Sequence, residues 1–255
     1  MVSFCVAGYP AAGKSTSIFP NEQLNIKGLD PLKTMYINCA GEGKRILYPK
    51  WREVFKAGTS IKEGGRYYAS RNPKQISELI KYVAKERKDV NFIVIDDANL
   101  VMGMQVLSAT KKMERDDWAT LATNTWSMFN VINEISSNPE LNRSDLFIIY
   151  TMHLHTKETY NDSLGQVSLS STKHVLATSG QMINNNVPLA SIWDIIIVAN
   201  CRVNMTTGQP EYFFETRPID NTPARAPIGM FGTSQFTNDL GAVVDAICAY
   251  DGITL

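Results

Sequence analysis

Residues 2–7, Val-Ser-Phe-Cys-Val-Ala, form an apolar run that passes without a break into Gly8-Tyr-Pro-Ala-Ala-Gly13-Lys14-Ser15. A strand that only packs in a core needs neither the glycines nor the lysine. The spacing G-x-x-x-x-G-K-[ST] is that of a loop whose main-chain N–H groups curl around phosphate oxygens, with glycine permitting the curl. In that arrangement Lys14 reaches the β- and γ-phosphates and the Ser15 hydroxyl takes Mg²⁺. The spacing therefore predicts a strand, a loop over 8–13, and a short helix from Lys14 that Pro20 stops. The N-terminus of that helix would add positive potential. Tyr9, Pro10, Ala11, Ala12 and Thr16 complete the expected nucleotide-contacting segment. A glycine-rich turn that happens to precede Lys-Ser is the bland alternative.

A site of this kind needs a carboxylate at the end of a neighbouring strand. Residues 90–97, Val-Asn-Phe-Ile-Val-Ile-Asp-Asp, supply one at the end of a continuous apolar run, the pattern of a central parallel strand buried on both faces. Asp96 is the candidate to hold the magnesium through water. Asp97 and Glu42, the latter just past the second strand, are the two candidates to orient an attacking water. Either aspartate could instead serve a turn or a cap. The run 145–155, Asp-Leu-Phe-Ile-Ile-Tyr-Thr-Met-His-Leu-His, is another buried strand with a polar end. Strand alternation puts Thr151, His153 and His155 on one side, where His153 is placed to touch a γ-phosphate. Two histidines at i, i+2 without a third ligand make a poor zinc site.

The remaining pattern alternates strands with helices. Met35 to Cys39 reads as a second strand. Asn72 and Pro73 open a helix whose stripe is Ile76, Leu79, Ile80, Val83 and Ala84. Residues 117–136 read as a long helix, and residues 44–71 show no clear periodicity. "IWDIIIVANCRVNM" and "EYFFETRP" read as a strand pair around a glycine-containing turn, and residues 238–250 as a closing helix. Such a series predicts one α/β domain over 1–255 with a mostly parallel central sheet, helices on both faces and a C-terminal antiparallel strand pair.

Composition narrows the class further. The chain has 255 residues, 44% hydrophobic and 20% charged, with a formal net charge of zero. That balance suits a globular protein and supplies no global field toward nucleic acid or an anionic membrane. No apolar run approaches the ~18 residues of a membrane span, and the first apolar run leads into a functional loop, not a signal cleavage site. Cys5, Cys39, Cys201 and Cys248 are far apart, as free thiols in a reducing cytoplasm would be.

With these motifs in place, the chain resembles phage-encoded RecA-like ATP-binding proteins, often labelled AAA-family ATPases, of the Sak class of single-strand annealing proteins. The stretches that carry the likeness are "GYPAAGKSTSI", "YINCAGEGK", "NPKQISELIKYVAKERKDVNFIVIDDANLVM", "DLFIIYTMHLHTKE", "TSGQMINNNVPLASIWDIIIVANCRV" and "ETRPIDNTPARAPIGMF". The run "GEGKRILYP" and the pair Asn99-Leu100 depart from the group's pattern. The resemblance implies ATP and Mg²⁺ at Gly8, Gly13, Lys14, Ser15 and Asp96. It also implies a role in phage DNA recombination or replication, with single-stranded DNA and a single-strand DNA-binding protein as partners.

By analogy with RecA-like cores, residues 102–117 and 156–180 are loops that face single-stranded DNA, with Lys111, Lys112 and Lys173 as contacts. Stronger local charge lies in residues 44–74, which hold nine Lys or Arg against two Glu. Lys44, Arg45, Lys50 and Arg52 stand there among Tyr48, Trp51, Phe55, Tyr67 and Tyr68, a combination suited to backbone charge and base stacking. The bland alternative is a basic rim with its aromatics in the core. Arg217 and Arg225 flank a proline-rich loop and are candidate fingers toward a neighbour's nucleotide in a homo-oligomer. The first strand begins almost at residue 1, so assembly is expected to use surfaces other than an N-terminal arm. Two rival functions share the phosphate loop: a small-molecule or nucleotide kinase, and an ATP-binding switch with negligible hydrolysis.

Overall fold

The computed structural model describes residues 1–41, 45–109, 112–163, 166–178 and 181–255. Its centre is a sheet whose strands are β1 (Val2–Gly8), β2 (Thr34–Asn38), β3 (Tyr67–Ala69), β4 (Phe92–Asp96), β5 (Phe147–Ser163), β6 (Gln166–Leu176), β7 (Ile196–Val203), β8 (Pro210–Glu215) and β9 (Gln235–Thr237). The spatial order is β3-β2-β4-β5-β1-β7-β8-β9, with β6 paired to β5. From β3 to β7 every neighbour along this path is parallel, and β7-β8-β9 are antiparallel. The mostly parallel sheet and the C-terminal strand pair expected from the sequence are both present.

Each central strand is apolar on both sides because both faces are covered. On one face Cys5, Ala7, Ile37, Ile93, Ile95, Ile148 and Tyr150 meet α2 (Pro73–Glu86), α3 (Leu100–Ser108) and α4 (Arg115–Ser136). On the other, Phe4, Val6, Tyr36, Val94 and Ile149 meet Phe19, Leu29 and α6 (Leu240–Asp251); α1 (Trp51–Val54) and α5 (Gln181–Asn186) are short helices of one to two turns. Helix α2 forms as its sequence dictates. The Asn72 side chain accepts from the N–H groups of Lys74 and Gln75, Pro73 occupies the first turn, and Ile76, Ile80, Val83 and Ala84 are buried.

Three expectations fail. Residues 14–19 form no helix: one α-type bond closes, Ser17 N to Gly13 O, and the segment then departs. Ser17 Oγ donates to Lys14 O, and the carbonyls of Ser17 and Ile18 accept from Leu240 and Leu29 instead of from helical donors. Pro20 removes the next donor and biases Phe19 away from helical dihedrals. Secondly, residues 102–117 are no open loop, because α3 and the start of α4 occupy most of them. Thirdly, 156–176 is no loop either, since β5 continues to Ser163 and pairs antiparallel with β6, with a register shift at Thr159/Tyr160.

One carboxylate fastens the segment after the phosphate loop to α6. Asp239, the N-cap, accepts from Gly241 and Ala242 at 2.8 and 3.3 Å, and also from Lys27 N at 2.7 Å and Gly28 N at 2.9 Å. Gly28 has φ +61°, and a Cβ there would stand 2.3 Å from the Phe19 carbonyl carbon, so no other residue fits. Replacing Asp239 by Ala orphans N–H groups on two segments and is expected to cost roughly 2–4 kcal/mol. Urea denaturation checks this; Asp239→Asn should lose less, and a variant as stable as the parent would contradict the assignment.

Candidate nucleotide site

The carboxyl ends of β1 and β4 converge on the part of β5 where its parallel pairing stops, at His153, the side on which open parallel sheets bind ligands. Gly8 ends β1, paired with His153 on one side and Ala199 on the other. A Cβ at Gly8 would stand 2.7 Å from Ala199 O, so the glycine is what lets β7 approach the loop. Beyond it the chain curls through Ala11 at φ +63° and Gly13 at φ +92°. Tyr9, Pro10 and Ala11 are exposed, Ala12, Gly13 and Lys14 buried, and Ser15 and Thr16 half-buried.

Lys14 is only 5% exposed and folds back on the loop. Its ammonium donates to Gly8 O at 2.7 Å and Tyr9 O at 2.9 Å, and to His153 Nδ1 at 3.3 Å. An ammonium can only donate, so Nδ1 accepts and the ring proton lies on Nε2. Nε2 stands 3.2 Å from Asp97 Oδ1, which completes a Lys14–His153–Asp97 chain. Asp97 itself is held at φ +60° by its N–H, which donates to Thr151 Oγ1 at 2.8 Å. Three residues chosen from sequence for the chemistry are thus in contact.

Asp96 is fully buried between two hydroxyls. Tyr36 OH donates to Oδ2 and Thr151 Oγ1 donates to Oδ1, each at 2.6 Å. Burial, and after it the Asp96 charge, holds the Tyr36 phenol well above its ordinary pKa, so it acts as a donor. Asn99 clamps the end of β5: Oδ1 accepts from His153 N, while Nδ2 donates to His153 O and Ala177 O and lies 3.3 Å from His155 Nε2. Burial lowers the His155 pKa, with His153 a second cause. The phenol of Tyr9 lies 2.7 Å from both Thr156 Oγ1 and His174 Nδ1, tying the loop to the root of the β5–β6 hairpin.

The helix that was to lend the loop its N-terminal potential is absent, so anion attraction falls to Lys14 and the loop amides alone. Glu42, Lys44 and Lys111 lie outside the described residues. Arg45, Lys50, Arg52, Lys112 and Lys173 are exposed. The expected stacking platform is in part interior: Tyr48, Trp51 and Tyr68 are half-buried, while Phe55 and Tyr67 are buried, Phe55 packing on Phe19 at 5.0 Å and Tyr67 stacking on Tyr36 at 6.4 Å. The two buried rings close the apolar layer beneath the sheet instead of facing outward. Arg217 donates to the carbonyls of Ala226 and Pro227, and Arg225 to those of Ala190 and Trp193, so each guanidinium braces its own chain. Tyr36, Asn99, Tyr212 and Asn238 are site residues the sequence did not single out.

No family model matches the chain, and neither does any curated protein. Among solved structures it is similar to a KaiC-like protein from the hyperthermophilic archaeon Pyrococcus horikoshii OT3. The identity is 11% over 86% of this chain and 79% of that chain, with a TM-score of 0.36. No helix among the described residues is long and apolar enough to cross a membrane.

Tyr36→Phe keeps the ring in its aromatic cluster but takes one donor from the buried Asp96. It is expected to lower stability by about 1–3 kcal/mol in urea denaturation. An unchanged midpoint would show that the hydroxyl is not needed there.

Proposed function

We propose that the protein is a RecA-like ATPase that binds ATP with Mg²⁺ at the 8–16 loop and works on or beside single-stranded DNA. The observation that carries the nucleotide half is the contact chain Lys14–His153–Asp97, which joins the loop lysine to the carboxyl end of β4 through the middle of β5. Lys14 leaves the Gly8 and Tyr9 carbonyls to neutralise phosphate charge, while the loop amides direct their donors to the same oxygens. Asp97, oriented by His153 and Thr151, is the group placed to hold a water and accept its proton. Ser15, half-buried at the loop, and Asp96, acting through water because its carboxylate is buried between Tyr36 and Thr151, offer only oxygen donors, a set that suits a hard cation, and are the residues that would hold magnesium. When bound, that ion supplies charge neutralisation on the phosphates.

The kinase and silent-switch alternatives are separated by turnover. Wild-type protein is expected to release phosphate from ATP without a small acceptor, and Lys14→Ala to lose nucleotide binding and turnover by at least tenfold. Binding without phosphate release would favour the switch.

The DNA half is supported by the exposed cations of 45–52. The Arg52 guanidinium lies 5.5 Å over the half-buried Trp51 ring, with Arg45 and Lys50 exposed nearby in sequence. The phage recombination setting, the single-strand DNA-binding protein and any homo-oligomer belong to the same proposal and rest on the sequence resemblance. Replacing Arg45, Lys50 and Arg52 together by Ala should weaken binding to a labelled single strand and reduce the log–log salt slope by about 2, at ~0.7 per phosphate contact. Equal affinity and slope would remove this surface from the DNA reading.

A further inference from the structure

Asn238 lies between β9 and the N-cap of α6, with its side chain against the phosphate loop. The residue is 5% exposed, and neither Oδ1 nor Nδ2 has a hydrogen-bond partner among the described residues. Both atoms crowd Gly13: a Cβ built there would stand 3.0 Å from Oδ1, 3.2 Å from Nδ2 and 2.9 Å from Tyr212 Cδ1. A buried amide left unpaired carries a penalty that native proteins seldom retain without a use. The residue after Gly13, Lys14, satisfies itself on the carbonyls of Gly8 and Tyr9. The loop is therefore closed on its own lysine while the side chain beneath it has no partner.

We propose that Asn238 is a positioning residue for the occupied phosphate loop. Its amide is held where the peptide groups flanking Gly13 arrive once Lys14 turns from the loop carbonyls to phosphate. Gly13, at φ +92°, is the joint that allows this: its missing side chain leaves the peptides on either side able to rotate, and Tyr212 and Asn238 fill the space a side chain would take. The primary amide suits the task because it can both donate to a loop carbonyl and accept from a loop N–H. The free state then bears the unpaired amide and the bound state pairs it, so Asn238 shifts the loop toward the occupied form by its difference between the two states. This inference rests on the phosphate-binding reading given above.

The sign of the effect separates this role from a structural one. In Asn238→Ala the free protein should melt at the same temperature as wild type or higher, because an unpaired amide has been removed. Its affinity for a fluorescent ADP analogue with magnesium should fall about tenfold. A lower melting temperature with wild-type affinity would make Asn238 a structural residue and overturn the proposal. If Asn238→Ala does not fold, the wild-type Asn238 side-chain amide decides the matter by NMR: its resonances should shift on titration with ADP and magnesium, and fixed resonances would overturn the proposal. Wild-type protein that binds no ADP would bring down the phosphate-binding reading itself. Wild-type binding combined with unchanged affinity in the variant would bring down only the role of Asn238.

Discussion

Taking a carboxylate out of water into the middle of a sheet costs several kcal/mol unless hydrogen bonds replace the lost hydration. Asp96 is in that position, and the local structure around it follows from meeting its need. Tyr36 on β2 and Thr151 on β5 reach it from either side, which fixes the relative heights of three neighbouring strands. The Thr151 hydroxyl also receives the Asp97 amide and so holds Asp97 in a left-handed conformation that turns its carboxylate toward His153. One hydroxyl thus couples a buried charge to a backbone turn, and the turn sets where the Asp97 carboxylate lies.

The same network explains how an exposed-looking motif comes to be internally saturated. Lys14 is long enough to reach back over Gly8, and the loop's own carbonyls are its nearest acceptors. Without a following helix, no macrodipole competes for an anion, and the ammonium is the dominant local positive charge of the loop. Its hydrogen bonds to neutral carbonyls and an imidazole are weaker than those it would make to an anion. In this structure, then, the loop lysine is satisfied by its own chain.

Local chemistry was legible in the sequence wherever a few adjacent residues decide the outcome. Asn72 and Pro73 start α2 as their types require, and the β7–β8 turn forms around its glycine because the flanking runs pair on either side. The sequence brings Lys14, Asp96, Asp97 and His153 forward because Lys14 follows spaced glycines and the other three lie at or near the polar end of an apolar run. Where distant segments decide, the sequence is silent. The helix expected after Gly13 is lost because Leu29 and Leu240 claim its carbonyls. Polar residues spread through 156–176 hide the β5–β6 hairpin, whose pairing follows from continuation of β5 and not from an apolar face. Tyr36 meets Asp96 across 60 positions, and Asn238 reaches Gly13 only through the return of the chain at α6.

Tyr9 gives this arrangement a mechanical property. Its phenol grips facing positions of the hairpin, Thr156 and His174, while its own peptide belongs to the turn that wraps the site. The turn and the foot of the arm are thereby joined by a single ring. That contact stands beside the main-chain pairing of Gly8 with His153, so the glycine curve and the foot of the arm are joined by backbone and side chain alike.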